Sequence, residues 1–355
     1  MIIQPAVFEA LVRGERLGPR AVAARAGLWW ARLPYAAGVG VRNKLFDLGV
    51  KSSSCATVPV VSVGNLTLGG TGKTPCVEWV AGFYRSLDIR VAILSRGYGV
   101  EAGPNDEALV LEDNLPDVPH LQNPDRVASA ATAVGELASE LLVLDDGFQH
   151  RHIRRDLDIV LVDATQPLAD DYLFPRGRLR EPVSSLRRAD VVIVTRADAC
   201  DRDPVAAGRV ADLERRRGRP VARTVHAPQY LLGADGAVES LDALRGRSVG
   251  AFCGLGNPQA FRRTLIDLGA DVVSFRVFPD HHPYSKADVA DLRRWGADLP
   301  AGGLALTTQK DFVKLRLAEL GPTPLWAVRV GLAFTRGEAD VRARLAAVLP
   351  ATDGA

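Results

Sequence analysis

The chain has 355 residues, enough for two α/β domains, and its 47% hydrophobic and 24% charged residues are ordinary for a soluble globular protein. Its formal net charge of +2 excludes the concentrated basic excess of a dedicated nucleic-acid binder, so we expect no nucleic-acid partner. The four cysteines are scattered without a Cys-x-x-Cys pair, which indicates neither a disulfide scaffold nor a zinc site and is typical of a reducing cytosol.

Residues 1–51 form a basic segment with eight Lys/Arg against three acidic residues. Charged residues interrupt the apolar core that a signal peptide needs, and no run reaches the ~18 apolar residues of a spanning helix. Within residues 26–46, Trp29, Trp30 and Tyr35 lie among basic residues, a composition typical of the membrane–water boundary. A helix that packs its tryptophans into the protein core would have the same composition, so both interpretations stay open at this point.

A glycine-rich turn follows the apolar run that begins at Val58, and a plausible helix follows the turn. Its loop residues are Gly69, Gly70, Thr71, Gly72, Lys73 and Thr74. Glycines let backbone N–H groups converge on phosphates, lysine supplies a point charge, and the hydroxyl of Thr74 suits a Mg²⁺ position. Thr67 stands where the P-loop pattern has its first glycine. The motif in this context predicts binding of a nucleoside triphosphate.

Helical and strand-like segments alternate after this loop. The predicted helices cover 76–87, 126–142, 259–268 and 286–299, and the predicted strands cover 90–95, 108–111, 141–144, 159–162, 191–195, 248–253, 271–277 and 304–308. This alternation predicts an α/β fold with a mostly parallel, P-loop NTPase-like sheet flanked by helices. We expect a P-loop domain over 52–220, a connection over 221–246, and a second, smaller α/β domain over 247–355 that completes the cleft.

Two pairs of acidic residues are candidates for chemistry. Asp145 and Asp146 end an apolar strand, the arrangement that holds Mg²⁺ in P-loop proteins, although Asp-Asp-Gly is also a common turn. Asp106 and Glu107 precede a short apolar run. Adjacent acids in a loop are usually solvated, but one of them beside a γ-phosphate would accept the proton of an attacking hydroxyl.

Histidine and arginine clusters are the remaining candidates. His281 follows Asp280 after a predicted strand, where an Asp-His pair would orient a base or carry a proton, and a surface ion pair is the simpler alternative. Arg176, Arg178 and Arg180 concentrate guanidinium groups in one loop, and Arg96 lies in a glycine-rich turn. Guanidinium forks suit phosphate oxygens and transition-state charge, whereas a solvated basic loop would need no such role.

Taken in order, these blocks resemble the tetraacyldisaccharide 4′-kinase family of lipid A biosynthesis. The matching blocks are Val63–Thr67, Gly69–Pro75, Leu94–Gly99, Asp106–Leu109, Leu144–His150, Arg155–Asp158, Leu179–Pro182, Phe252–Pro258, Asp280–His281 and Thr307–Phe312. They extend over most of the chain. Asn105 departs from the glycine that the family commonly has before Asp-Glu, which puts the detailed geometry of that loop in question.

The resemblance implies transfer of the γ-phosphate of ATP to the 4′-hydroxyl of an acylated disaccharide 1-phosphate, giving lipid IVA, with Mg²⁺ as cofactor. It also implies peripheral association with the cytoplasmic face of the inner membrane and favours the interfacial interpretation of residues 1–51; no protein partner is predicted. Carried over by position, Asp106 is the general base and His281 its paired histidine. Asp145, Asp146 and Glu181 are the acids at the metal.

Two alternatives differ in function class. A P-loop switch or assembly NTPase would hydrolyse nucleotide and phosphorylate no lipid, but the sequence contains no guanine-type specificity motif that we recognise. A soluble small-molecule kinase would keep its N-terminal tryptophans in the core. We therefore expect a lipid kinase in which Lys73 and the loop hold ATP, and Arg96, Arg178 and Arg180 contact the substrate or neutralise transition-state charge.

Overall fold

The computed structural model describes residues 5–97, 106–166, 168, 171–218 and 221–349. The α-helices are α1 (Pro5–Val12), α2 (Pro19–Asp47), α3 (Lys73–Arg85), α4 (Asp106–Asn114), α5 (Arg126–Gly135), α6 (Ala199–Arg202), α7 (Pro204–Arg217), α8 (Pro258–Asp267), α9 (Lys286–Ala297), α10 (Gln309–Leu315) and α11 (Glu338–Ala346). Short 3-10 helices lie at Val183–Arg188 and Leu241–Leu244. The strands are β1 (Val60–Asn65), β2 (Val91–Ser95), β3 (His120–Gln122), β4 (Leu141–Asp145), β5 (Leu157–Asp163), β6 (Val191–Thr195), β7 (Val221–Leu232), β8 (Val238–Glu239), β9 (Ser248–Cys253), β10 (Asp271–Val277), β11 (Leu304–Thr308), β12 (Glu319–Leu320) and β13 (Thr323–Arg336).

The chain divides into two compact units that are discontinuous in sequence. The first unit contains residues 1–96, 121–225 and 334–355, and the second contains 97–120 and 226–333. The predicted domains, by contrast, were continuous segments. The C-terminal helix α11 belongs to the first unit, where the buried Tyr84 hydroxyl donates to the carbonyl of Leu345 at 2.9 Å. The segment that carries Asp106, residues 97–120, belongs to the second unit, although the residues before and after it belong to the first. The sequence alone does not reveal that the chain leaves the first unit and comes back to it.

In the first unit the strands lie in the order β7-β6-β5-β1-β4-β2-β3. The pairs β7–β6, β6–β5, β5–β1, β1–β4 and β4–β2 are all parallel. The strands at its centre are buried along their whole length, which explains their continuous apolar sequences. Phe148 approaches β1 so closely that a Cβ added at Gly64 would lie 2.6 Å from the Cβ of Phe148. Glycine is therefore required beside this core ring.

The second unit contains a smaller α/β layer. Its strands lie in the order β10-β9-β11-β13, and each of these three pairs is parallel. One side of the layer has a core that includes Leu265 and Leu306, and the other has a core around Phe252 and Trp295. The predicted fold class, a mostly parallel sheet flanked by helices with a second α/β part, is confirmed.

Most of the predicted strands coincide with observed ones, but one predicted strand was wrong. The run Ala108–Leu111 lies inside α4 and not in a strand. Four apolar residues do not distinguish a buried strand from a helix, and the acids at the start of α4 suit a helix N-terminus. The predicted connection 221–246 contains β7, a twelve-residue strand. Its polar residues concealed it, because the strand is only partly buried.

The basic N-terminal segment forms α1 and the long helix α2, which contains Pro34. Only Val39 and Phe46 are buried among the residues of α2, while Trp30 is 67% exposed and Trp29 is exposed beside it. The tryptophans therefore do not lie in the core, and that alternative interpretation is wrong. None of the helices in the described part of the chain combines the length and apolar character needed to span a bilayer.

Candidate active site

The glycine-rich loop connects β1 to α3 in the first unit. Gly72 caps α3 with a left-handed φ of 83°, and Gly69 has a φ of 102°, conformations that side chains rarely adopt. The loop is fastened from two strands: Asn65 of β1 donates to the Thr71 hydroxyl at 2.9 Å, and Thr195 of β6 donates to the Thr71 carbonyl at 2.8 Å. The first turn of α3, with its free N–H groups, therefore starts at a fixed position.

The acidic pair lies at the end of β4, the strand adjacent to β1. Asp146 lies 3.7 Å from the Lys73 ammonium through Oδ1, and its Oδ2 accepts a hydrogen bond from Arg180 at 2.6 Å. The Asp146 backbone has a φ of 52°, an uncommon conformation for a residue with a side chain. Burial raises the pKa of Asp146, but the charges of Lys73 and Arg180 outweigh it and hold this pKa below its ordinary value.

The backbone of the glycine-rich loop and the carboxylate of Asp146 suit the binding of a nucleotide together with Mg²⁺. A Cβ at Gly69 or Gly70 would meet no protein atom within 4 Å, so the loop backbone is open to close approach by a phosphate. Asp146 Oδ1 is buried and accepts no hydrogen bond. No three His, Cys, Asp or Glu side chains cluster anywhere in the described ranges. Thr74 lies in the first turn of α3, directly after Lys73.

Two of the predicted site residues are held by other side chains in this conformation. The carboxylate of Glu181 is fully buried and is bound by Arg42 at 2.8 Å, by Asn43 at 2.9 Å and by Arg188 at 2.8 Å. Glu181 therefore links its own segment to the helix α2 through these contacts, which the prediction of Glu181 as a metal ligand did not include. The guanidinium of Arg178 is also buried, and it forms an ion pair with Asp171 at 3.3 Å.

Arg96 directly follows β2 and is exposed at the same edge of the first unit's sheet. Tyr98 and Gly99 of the same matching block lie outside the described residues, and so does Asn105, the departure from the family pattern.

In the second unit, Asp106 and His281 form a close pair although they are 175 positions apart. The Nδ1 atom of His281 lies 2.9 Å from Oδ2 of Asp106 and 3.0 Å from Oδ1. Asp106 begins α4 and is only 8% exposed, whereas His281 is largely exposed and has a left-handed φ of 59°. An uncommon backbone conformation at a chemically active side chain is a frequent feature of functional sites.

Two lysines of α10 set the charge around this pair. Lys314 lies 3.6 Å from Oδ2 of Asp106 and 3.4 Å from the buried Asp311, and Lys310 lies 3.3 Å from Glu107. Burial raises the pKa of Asp106, but the hydrogen bond with His281 and the nearby lysines outweigh it, so the pKa falls to about 2. The hydrogen bond to Asp106 in turn raises the pKa of His281 above its ordinary value.

These lysines were not among the predicted site residues. Lys310 and Lys314 are four positions apart, the spacing that places two side chains on one helix face, so this pair was a detectable signal. Arg126 was also missed: it is buried and donates to the carbonyls of Asp145 at 2.9 Å and Asp146 at 3.4 Å. A single arginine at the start of a predicted helix carries no such signal in sequence.

The chain is similar in sequence to the proteins of one known family. The sequence model of the tetraacyldisaccharide-1-P 4′-kinase family matches residues 24–350. A tetraacyldisaccharide 4′-kinase of Anaeromyxobacter sp. (strain Fw109-5) is 41% identical over 98% of this chain and 98% of its own length. One of Syntrophus aciditrophicus is 38% identical over 79% and 82%, respectively.

A solved structure is also similar over most of the chain. The "apo" form of LpxK from Aquifex aeolicus in complex with ATP superposes with a TM-score of 0.75 at 32% sequence identity. The match covers 92% of this chain and 99% of that one. Together with the phosphate loop and the paired acids, these matches establish that the chain belongs to the tetraacyldisaccharide 4′-kinase family.

Proposed function

We propose that this protein transfers the γ-phosphate of ATP to the 4′-hydroxyl of tetraacyldisaccharide 1-phosphate, forming lipid IVA in lipid A biosynthesis. The observation that carries the proposal is the family match over residues 24–350, which includes an intact glycine-lysine-threonine loop at the start of α3. The switch NTPase alternative is not favoured, because relatives that match nearly the whole chain are named as kinases.

In the proposed reaction the backbone N–H groups of the loop and the Lys73 ammonium hold the β- and γ-phosphates. Thr74, Asp145 and Asp146 would hold Mg²⁺, which neutralises charge on the phosphate oxygens and fixes their geometry. Arg180 is already directed to this end of the sheet by its ion pair with Asp146, and it supplies positive charge near the transferred group. Arg96 and Arg178 are further candidates for contacts with substrate.

Asp106 is the proposed acceptor of the proton from the sugar hydroxyl. Its pKa of about 2 keeps the carboxylate ionised, and therefore able to accept a proton, throughout the neutral range. A carboxylate with so low a pKa is a weak base by itself. The adjacent His281 donates its Nδ1–H to Asp106 and so orients the carboxylate. The raised pKa of His281 favours uptake of a proton at the other ring nitrogen, Nε2.

The exposed face of the N-terminal helices is the proposed contact with the membrane surface. Trp29, Trp30 and Leu33 are exposed on α2, and Leu17 precedes it. Tryptophans favour the interface between lipid headgroups and acyl chains. An acylated substrate stays in the bilayer, so we propose that the protein binds peripherally at the cytoplasmic face of the inner membrane.

The direct test is incubation of the purified protein with γ-labelled ATP, Mg²⁺ and tetraacyldisaccharide 1-phosphate dispersed in detergent. We expect label in the lipid fraction. Label released only as inorganic phosphate, with none in the lipid, would overturn the kinase proposal while leaving nucleotide binding by the loop intact.

A further inference from the structure

The C-terminal part of α2 makes side-chain contacts that a membrane-binding helix does not require. The hydroxyl of Tyr35 donates a hydrogen bond to the carbonyl of Arg180 at 3.0 Å. About two turns further on, Arg42 and Asn43 bind the two oxygens of Glu181 at 2.8 and 2.9 Å. Three side chains of one helix thus converge on two consecutive residues of the first unit.

Arg180 and Glu181 belong to a short segment that is also hydrogen-bonded to the entrance of the phosphate loop. The N–H of Arg180 donates to the carbonyl of Leu66 at 2.7 Å, and the N–H of Leu68 donates to the carbonyl of Arg178 at 2.8 Å. Leu66 directly follows β1, and Leu68 directly precedes the first glycine of the loop. The backbone of this segment therefore forms one side of the phosphate loop's entrance.

The side chain of Arg180 extends the same connection to the acids. It donates to Asp146 at 2.6 Å, and Asp146 lies 3.7 Å from the Lys73 ammonium. A continuous path of short contacts thus joins α2 to the lysine of the loop through Glu181, Arg180 and Asp146.

The burial of Glu181 makes this path sensitive to α2. Its side chain is 0% exposed, so its charge is stable there only while its partners remain. One of these partners, Arg188, lies seven residues after Glu181, and the other two, Arg42 and Asn43, belong to α2. Removing the guanidinium of Arg42 leaves Oε1 of the buried carboxylate without this charged partner while Arg188 still binds Oε2, and a movement of the segment toward water would relieve the cost.

We propose that the C-terminal part of α2 is a positioning element of the nucleotide site, in which Arg42 and Asn43 hold Glu181 and thereby fix Arg180 and the entrance of the phosphate loop. Neither residue touches the nucleotide in this account. The inference depends on nucleotide binding at the loop and is independent of the lipid substrate and of the proton acceptor. It gives α2 a second role beside its proposed contact with the membrane.

The test compares Arg42→Gln and Asn43→Ala with Lys44→Gln in the full chain. Lys44 is exposed and two positions from Arg42, which places it about 200° around the helix. The dissociation constant of Mg·ATP is measured by titration calorimetry in detergent. Because loss of a supporting hydrogen bond behind a metal or ligand site costs about tenfold or more, we expect Arg42→Gln to bind Mg·ATP about tenfold more weakly. Asn43→Ala, which removes one neutral donor, should bind a few-fold more weakly, and Lys44→Gln should bind like wild type.

Hydrogen exchange of the nucleotide-free protein gives a second readout that does not involve catalysis. The amides of Leu68 and Arg180 should exchange faster in Arg42→Gln and at the wild-type rate in Lys44→Gln. Binding to uncharged vesicles of phosphatidylcholine, which does not depend on the cations that two of these variants remove, should be the same in all three.

Unchanged Mg·ATP affinity in Arg42→Gln would overturn the proposal, even if its melting temperature fell, since the contacts would then serve only the stability of the fold. If Arg42→Gln does not fold, Asn43→Ala decides in the same way. Failure of the wild-type protein to bind Mg·ATP would instead contradict the assignment of the phosphate loop itself.

Discussion

The phosphate loop of the first unit and the acid–histidine pair of the second are assembled in different ways. The loop is one stretch of consecutive residues between β1 and α3, and its binding groups are mainly backbone N–H groups whose directions follow from local conformation. The pair joins Asp106 and His281 across 175 positions and depends on side-chain charges contributed by α4 and α10. The first kind of site is readable in sequence, whereas the second becomes visible only when the chain has folded.

The same difference predicts how each site fails. The loop should lose its function through the loss of one positioned charge, with little dependence on pH. The pair should respond to any change in the neighbouring charges, because those charges hold the pKa of a buried carboxylate far from its ordinary value. Three substitutions separate these behaviours and a fourth affects neither site; they follow in order of decreasing effect.

Replacement of Lys73 by alanine should have the largest effect. Positioned positive charge supplies most of the catalysis in phosphoryl transfer, so we expect phosphorylation of the lipid to fall by about a thousandfold or more. The measurement is label transferred from γ-labelled ATP to the lipid. Lys286→Ala, an exposed lysine at the start of α9, is the matched control. Activity of Lys73→Ala within tenfold of wild type would contradict the role of the loop.

Replacement of Asp106 by asparagine should lower kcat by about a hundredfold, the usual contribution of a general base. The affinity for ATP should stay near the wild-type value, since the side chain that is changed belongs to the proton acceptor and not to the phosphate loop. Steady-state kinetics with varied ATP gives both quantities. Equal losses in kcat and in ATP affinity would argue against Asp106 as the base.

Replacement of Lys314 by methionine should alter the pH dependence of the reaction more than its maximum rate. The ionised form of Asp106 is the active one, so activity is lost as the pH falls through its pKa, which is about 2 in the native protein. Removing a cation 3.6 Å from the carboxylate raises that pKa, and the acidic limb of the kcat profile should therefore move to higher pH.

The stability of the Lys314→Met variant should change for the same reason as its pH profile. A lowered carboxylate pKa stabilises the fold above the pKa of the unfolded chain, near ~3.9, and this contribution is lost as the pH falls toward 2. Lys314→Met should thus lose part of its unfolding free energy at neutral pH, and the loss should shrink in acid. The exposed Lys286→Met is the charge-matched control, and an unshifted acidic limb in Lys314→Met would rule out this electrostatic role.

Replacement of Trp30 by alanine should have the smallest effect. It should weaken binding to membranes and alter neither the phosphate loop nor the Asp106–His281 pair. Partial burial of one aromatic side chain in lipid contributes about 1 kcal/mol, so binding to vesicles should weaken roughly fivefold while the Mg·ATP affinity stays unchanged. Ile266→Ala changes an exposed apolar residue of α8 and is the control. Deletion of residues 1–46 is a poorer test, because it also removes Arg42 and Asn43. Unaltered vesicle binding of Trp30→Ala would count against the proposed membrane face.

Periodicity and apolar runs predicted many elements correctly. The strands Val191–Thr195, Ser248–Cys253, Asp271–Val277 and Leu304–Thr308 have the predicted bounds. Three of them are short, mostly apolar and bounded by turn residues, so few competing structures exist for them. The fourth, Asp271–Val277, contains charged and polar residues and is only partly buried. The predicted helix 126–142 was too long, since α5 ends at Gly135 and β4 begins at Leu141. In β7, polar residues and a proline interrupt the apolar residues, and the pattern is lost.

The candidate site was predicted in part. Lys73, Asp145, Asp146, Asp106 and His281 were named from motifs and family resemblance, and the structure brings the last two into contact. The contacts of Glu181 with Arg42 and Asn43 were not foreseen, because nothing in the local sequence of either segment indicates the other. The same holds for Lys314 and Asp106.

The sequence by itself determined the phosphate loop, the alternation of helices and strands, and the family to which the chain belongs, since each depends on residues that are close together or on the order of motifs. Only the tertiary structure decided that α4 joins the second unit, that a buried Glu181 is held by α2, and that lysines of α10 surround Asp106. The physical reason is that burial removes charges from water, and a buried charge takes its partner from whichever segment the fold brings within a few ångströms.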